Sequence, residues 1–420
     1  MSTKFHHILQ YREKVFFILT LLVFITFTLS FALNSISVFL FIPFFFLDTK
    51  ENIKEKWRVI KTNKVVLLYA LFFLAQVIGI CYSYNISLAL KRTTVMLPLL
   101  FLPAILSVEK LEYSKFNQLL CILKYVIPST FILYVMIHYF VDGRTLNTFV
   151  HFTVKEKIKV SQFYLAFILM VPIFETLRQI KINNTRVSNY ILLITTLLIV
   201  MLLGNKTTVL FLSIVCLGFI NSLRKSNKKR TFLIAMVLSL GVFVALIQVP
   251  VIKNRVSVFL KTTDFNINTI ITKNSFTHTK NTAEHRVLID YLSVKEIIKS
   301  FPFGVGTGDY QQALNSQYKK VNFKAALKSE YNNHNQYLSE FLKTGIIGGS
   351  LFIMLLIVLW KLPKNNLSFY FLLFFTLGCL VESYLVRQHG VVIFAFIIPF
   401  LIHNKVEQSV NETKESYEKI

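Results

Sequence analysis

The sequence predicts an all-α, polytopic integral membrane protein, and three observations carry that prediction. Hydrophobic residues make up 54% of the chain and phenylalanine contributes 41 of its 420 residues, whereas charged residues reach only 16%. Apolar stretches near the ~20 residues that a helix needs to cross a bilayer recur along the whole length. Lysine and arginine gather in short clusters between those stretches instead of along one periodic face. The formal net charge of +25 therefore reads as a topology signal and not as a nucleic-acid footprint. Such a composition excludes a water-soluble globular domain. Cys81, Cys121, Cys216 and Cys379 all lie in apolar stretches, far apart and without metal-ligand spacing, and read as packing residues.

In chain order the apolar stretches are 15–33, 35–47, 65–83, 90–107, 119–140, 161–177, 190–204, 206–222, 232–250, 337–360, 367–386 and 390–403, about twelve transmembrane helices. No small-residue cleavage site follows the first, so it is expected to be retained as a span. Asn34 and Ser35 are the only polar break between the first two, which predicts a short hairpin there. The chain divides into an N-terminal membrane region of about nine helices (1–250), a large, partly helical external loop domain (251–336), C-terminal membrane helices (337–403) and a polar tail (404–420).

Orientation follows from the short loops, because lysine and arginine are retained on the cytoplasmic side. The clusters at Lys50–Lys64, at Arg178, Lys181 and Arg186, and at Arg224–Arg230 fall between alternate spans. They place the N-terminus and the tail in the cytoplasm and the 251–335 loop outside. That loop carries twelve Lys and Arg against six Asp and Glu. A basic external segment against a membrane suits an anionic partner such as a lipid phosphate or pyrophosphate, and suits equally the headgroups of the surrounding membrane lipids. Lys206, in Gly204-Asn205-Lys206-Thr207-Thr208 between two spans, is expected at the same surface, where an ionisable group is costly and usually functional. Arg92 opens another span on that side, and Glu382, Arg387, Gln388 and His389 mark the last external connection.

The segment from Asn281 to Gly349 is the one long stretch that is neither continuously apolar nor low in complexity. Arg286 is followed at helical spacing by Leu288, Ile289, Leu292, Ile297 and Ile298, which predicts an amphipathic helix that gives the guanidinium a fixed base. Pro302 ends that helix, and Gly304, Gly306 and Gly308 permit a tight turn whose backbone N–H groups are expected to face a ligand. His334 then precedes a long apolar run, at the level where a span meets water.

These motifs, in this order, resemble the O-antigen ligase and polymerase superfamily. The match runs through Arg286, Pro302, Gly304, Gly306, Gly308, His334, Asn335, Tyr337, Leu338, Gly345 and Gly348. The resemblance implies a multi-span bacterial inner-membrane glycosyltransferase that takes a glycan from undecaprenyl pyrophosphate at the periplasmic face. A ligase passes it to a lipid A–core sugar and a polymerase to another lipid-linked unit; a protein-glycosylating transferase is a third form. No metal, nucleotide sugar or other cofactor is implied. The superfamily's first external arginine falls here on Asn205-Lys206, and a lysine keeps the charge without the bidentate grip on phosphate oxygens.

Elementary chemistry leads to the same site. A departing pyrophosphate must have its growing charge neutralised by a metal on clustered carboxylates or by fixed cations. The acids of the loop, Asp264, Glu284, Asp290, Glu296, Asp309 and Glu330, are scattered in sequence, so Arg286 and Lys206 are the expected stabilisers. His334 serves either as general base on the acceptor hydroxyl or as a donor to the pyrophosphate. The expected catalytic residues are His334 and Arg286. Those expected to bind pyrophosphate or glycan are Lys206, Asn335, Gly304, Gly306, Arg387, Glu382 and Arg92. A lipid-linked glycan transporter is the alternative from another class, but transporters place charges near the midplane in repeated halves. Here no repeat is evident and the polar residues collect on one side.

Overall fold

The computed structural model describes residues 2–182, 187–204, 263–273 and 282–404. Every regular element among them is helical. Among the described residues five helices are long and apolar enough to cross a membrane: Lys64–Cys81, Ile86–Val108, Tyr113–Val141, Gln162–Ile180 and Gln336–Lys361. Three shorter apolar helices, Val187–Leu202, Asn366–Gly378 and Gln388–His403, fall on further expected spans. The expected spans 206–222 and 232–250, together with Lys206, Cys216 and the tail beyond 404, lie outside the described residues.

Three local departures from the expected spans have clear causes. The first hairpin turns at Ser30, whose backbone is extended, and not at Asn34. Asn34 is buried inside the second helix, where its amide donates to the Val23 carbonyl at 3.0 Å. Its polarity is satisfied across the hairpin, so it need not sit in the loop. The lysine-rich segment after Asp48 is a helix, Lys50–Thr62, capped by Thr49 and bent by 116° from the helix pair Phe31–Phe46. Its charged and apolar faces suit an element lying along a membrane surface. The eleventh stretch leaves its helix at Gly378 instead of reaching 386. Residues 379–387 continue as a strip that holds one short 3-10 helix, Tyr384–Val386, and lies against the start of Gln336–Lys361, where the Gln336 N–H meets the Cys379 carbonyl at 2.7 Å and the Leu385 N–H meets Gln336 Oε1 at 2.8 Å.

Side chains from separate spans meet at both ends of the bundle. At one end Arg12 binds Glu109 at 2.6 Å and Lys56 binds both Asp48 and Glu109, at 2.5 and 2.6 Å, which ties together the starts and ends of the first, second and fourth expected spans. At the other end Asp309 accepts the N–H groups of Tyr84 and Asn85, so the external segment is docked on the loop after Lys64–Cys81. The spans share one continuous apolar core, in which Phe375 stacks on Phe394 with centroids 4.9 Å apart. The external segment has its own core of Ile270, Leu288, Ile289, Leu292, Tyr310, Leu314, Tyr318, Phe323 and Ala326, closed against the span residue Leu342.

The join between the two cores is a break in Gln336–Lys361. Thr344 and Gly345 have non-helical backbones, with Gly345 at φ +61°. The break leaves the Leu342 and Lys343 carbonyls without helical partners, and the glycine turn supplies them: the Val305 N–H donates to Leu342 at 2.9 Å and the Gly306 N–H to Lys343 at 3.0 Å. In return the Ile346 N–H donates to the Pro302 carbonyl at 2.9 Å. A Cβ on Gly345 would stand 1.9 Å from that same carbonyl oxygen.

Gly345→Ala should therefore lower the unfolding temperature of the purified protein far more than Gly143→Ala does. Gly143 has nearly the same positive φ but open space around it, so its substitution carries a backbone cost of about 1–3 kcal/mol without a steric clash. Equal shifts for the two variants would show that the turn does not depend on this contact.

Candidate active site

Arg286 and Asp290 stand one turn apart on the helix Thr282–Lys299, whose opposite face buries Leu288, Ile289 and Leu292 in the external core. Spacing of four places both side chains on one face. That face looks towards the entry of Gln336–Lys361. Nη1 of Arg286 donates to the Val381 carbonyl at 2.7 Å, which orients the guanidinium against the 379–387 strip. The charges of Arg286 and His334 and the neighbouring Asn335 side chain all favour the ionised form of Asp290. The Asp290 carboxyl group thus lies within electrostatic reach of Arg286 and His334 and beside Asn335.

His334 precedes the helix and does not cap it. The cap is Asn335, whose side chain accepts the Leu338 N–H at 3.2 Å. His334 has φ +44°, a left-handed backbone that non-glycine residues adopt rarely, and its N–H is held by Asn332 Oδ1 at 3.0 Å. The ring's Nδ1 lies 3.6 Å from Glu382 Oε2, too long for a hydrogen bond, and has no hydrogen-bond partner among the described residues. A carboxylate at that distance is placed to stabilise a positive charge on the ring. The loop is fixed from below: Asn333 Oδ1 accepts from Ser339 at 2.5 Å and from Ser383 at 3.2 Å, and the Asn335 N–H donates to Ser383 Oγ at 3.2 Å.

Burial raises the Asp290 pKa to about 6, against the opposing pull of Arg286, of His334 and of the Asn335 hydrogen bond. Its proton thus exchanges close to neutral pH, in the range where an acid or base is useful. Sequence reasoning counted Asp290 among scattered acids. Its signal was the spacing of four from Arg286 on a helix. Glu284 and Glu296 are engaged elsewhere, with Lys273 and with Gln317 and Lys299, and Asp309 caps the segment at Tyr84. Among the described residues no three His, Cys, Asp or Glu side chains converge as a metal set.

The remaining expected site residues separate into two groups. Glu382 joins the cluster through His334. The N–H groups of Gly304 and Gly306 are engaged within the chain: Gly306 donates to the Lys343 carbonyl at 3.0 Å, where the break at Thr344–Gly345 needs a donor, and Gly304 donates to the Ser300 carbonyl at 2.9 Å just past the end of Thr282–Lys299. Arg92 likewise serves docking. Its Nη1 donates to the carbonyls of Thr307 and Gly308 at 3.0 and 2.8 Å, and its guanidinium lies 4.0 Å from the Tyr310 ring centroid. Arg387 is exposed and forms no ion pair with Glu382 among the described residues; it lines a different cavity. Lys206 lies outside the described residues.

Residues 191–353 match the family model described as O-antigen ligase, in agreement with the superfamily that the motifs resemble. The match supports a ligase- or polymerase-type glycosyltransferase of membranes. It contains Arg286, Asp290, His334 and Asn335, whereas Arg92, Glu382 and Arg387 fall outside it. No curated protein matches the chain.

The raised pKa of Asp290 has a consequence for stability. A carboxyl group whose pKa is higher folded than unfolded favours the folded state at low pH, and this contribution is lost as pH rises through about 6. Asp290→Asn should therefore gain unfolding temperature relative to the parent protein at pH 8 compared with pH 5. An unchanged difference across that range would remove Asp290 from the group of buried titrating residues.

Proposed function

We propose that this chain, which carries an O-antigen ligase domain at residues 191–353, is a metal-independent oligosaccharide transferase of the bacterial inner membrane with its active site facing the periplasm. Its donor is a glycan on undecaprenyl pyrophosphate and its acceptor a sugar of lipid A–core. The observation that carries this reading is that Arg286 and His334 both lie within electrostatic reach of the Asp290 carboxyl group, although the chain between them runs through much of the external segment, and that Glu382 stands 3.6 Å from the imidazole.

In the reaction the acceptor hydroxyl oxygen attacks the anomeric carbon of the first donor sugar, and the bond from that carbon to the pyrophosphate oxygen breaks. The electron pair leaves on the pyrophosphate, where Arg286 meets the growing charge with a planar fork suited to phosphate oxygens. His334 takes the hydroxyl proton. Glu382 near Nδ1 favours this role over that of a phosphate donor, because a carboxylate stabilises the imidazolium that a base becomes and repels an anion brought to the ring. Asp290 and Asn335 hold the two groups in register. Lys206 supplies a second cation to the lipid pyrophosphate. A polymerase would use the same residues on a different acceptor.

Glycolipids from a strain lacking the protein test the reading. Absence of glycan from lipid A–core, with long chains still on the carrier, indicates the ligase; single repeat units where long chains are expected indicate the polymerase. Arg286→Ala and His334→Ala should each reduce transfer by about 10²–10³-fold while the protein still accumulates in the membrane. Arg286→Lys should recover only part of the rate. Near-normal transfer by a stably inserted His334→Ala protein would contradict the proposed base.

A further inference from the structure

The external segment exposes apolar side chains where it meets the spans. Ile298 is 70% exposed, and Phe301 and Phe303 are each 65% exposed. Along the helix Thr282–Lys299, Val287, Tyr291, Val294 and Ile298 recur at spacings of four, three and four, which aligns them in one stripe. Tyr291 and Val294 are exposed as well, so the stripe leads down to the two phenylalanines. A surface in water rarely leaves such a patch uncovered.

Two spans fix the depth of the patch. Phe301 and Phe303 flank Pro302, whose carbonyl accepts the Ile346 N–H at 2.9 Å, and the Thr307 N–H donates to the Gly79 carbonyl at 3.3 Å. Ile346 and Gly79 each stand 15 residues from the far ends of their spans, Lys361 and Lys64. That is about 22 Å at ~1.5 Å per residue, short of the ~30 Å thickness of bilayer hydrocarbon. Ile346 and Ile347 are themselves exposed, as lipid-facing residues of a span are. The backbone of the turn suits that depth, where unpaired polar groups are costly. The N–H groups of Gly304, Val305 and Gly306 bond to Ser300, Leu342 and Lys343, and the Phe303 carbonyl accepts from Tyr82 Oη at 2.8 Å. Lys295 and Lys299, exposed near the end of the helix, have side chains long enough to reach headgroups from there.

We propose that Ile298, Phe301 and Phe303 insert among the lipid acyl chains of the adjoining leaflet, so that a segment expected wholly outside the membrane is anchored in it. Lipid is the occupant because the patch continues the lipid-facing surface of Gln336–Lys361 at Ile346 and Ile347. Tyr291 and Val294, higher on the stripe, then lie at headgroup level. The anchor also sets the height of Arg286, which stands on the same helix no more than about 18 Å along its axis from Ile298. The insertion rests on exposure, depth and backbone pairing, and does not depend on the transfer reaction.

Tryptophan fluorescence of the full chain in phosphatidylcholine vesicles tests this, in a Trp57→Phe/Trp360→Phe background that removes both native tryptophans. One reporter is introduced at a time: Phe301→Trp or Phe303→Trp in the patch, Ile347→Trp on the lipid-facing span at the same depth, and Ser316→Trp on the exposed surface of the external segment. All four positions are exposed, so no reporter disturbs a core. The quenchers are phosphatidylcholine brominated high on its acyl chains and aqueous acrylamide. Brominated lipid should quench both patch reporters to within about twofold of Ile347→Trp, and acrylamide should quench them several-fold less than Ser316→Trp. Acrylamide quenching equal to that of Ser316→Trp would place the patch in water, and shielding from both quenchers would assign it to a second copy of the chain. Either result would overturn the proposal.

Discussion

A helix that breaks inside a membrane leaves carbonyls that lipid cannot satisfy, and the break at Thr344–Gly345 is such a place. The glycine turn resolves it by offering the N–H groups of Val305 and Gly306 to Leu342 and Lys343. Much else follows from that exchange. It fixes where the helix Thr282–Lys299 ends, and hence where Arg286 and Asp290 lie relative to the start of Gln336–Lys361. It also draws the 307–310 segment onto the loop after Lys64–Cys81, where Arg92 and Asp309 complete the seat. The requirement for glycine is steric as well as conformational, since a Cβ on Gly304 would stand 2.6 Å from the Gly345 nitrogen.

Below the site the same helix carries a buried polar ladder. Glu340 is fully buried and accepts from Gln76 at 2.7 Å, Gln336 at 2.5 Å and Lys343 at 3.0 Å. A buried ion pair adds little net stability, but removing one partner strands the other charge, so such a group holds its neighbours to one arrangement. Here the arrangement includes Gln336, whose side-chain oxygen takes the Leu385 N–H, and through it the strip that carries Glu382 towards His334. The electrostatics of the imidazole are thus anchored inside the membrane domain although the imidazole stands at its edge.

The membrane character and most described spans were legible in the sequence, because hydropathy is a local signal, and short motifs singled out Arg286 and His334. What was not legible is tertiary. Asp290 looked like one acid among six until a helix put it over Arg286 and the loop put His334 and Asn335 beside it. The glycines of the turn looked like a ligand cradle, since a glycine-rich turn has the same sequence whether its N–H groups face a phosphate or a broken helix. Arg92 has the charge of a substrate ligand but binds carbonyls of its own chain. The helix Lys50–Thr62 looked like a loop because its charges outweighed its apolar stripe.

The central claim is that Arg286 and His334 act in one transition state. Its most direct test is the rate of single-turnover glycan transfer by the purified Arg286→Ala/His334→Ala double variant, set beside the two single variants. Groups that act as a unit have effects that do not add. The account expects the double variant to be only slightly slower than the slower single variant; a double-variant loss equal to the product of the two single losses would mean that the two residues serve separate steps, and would contradict it.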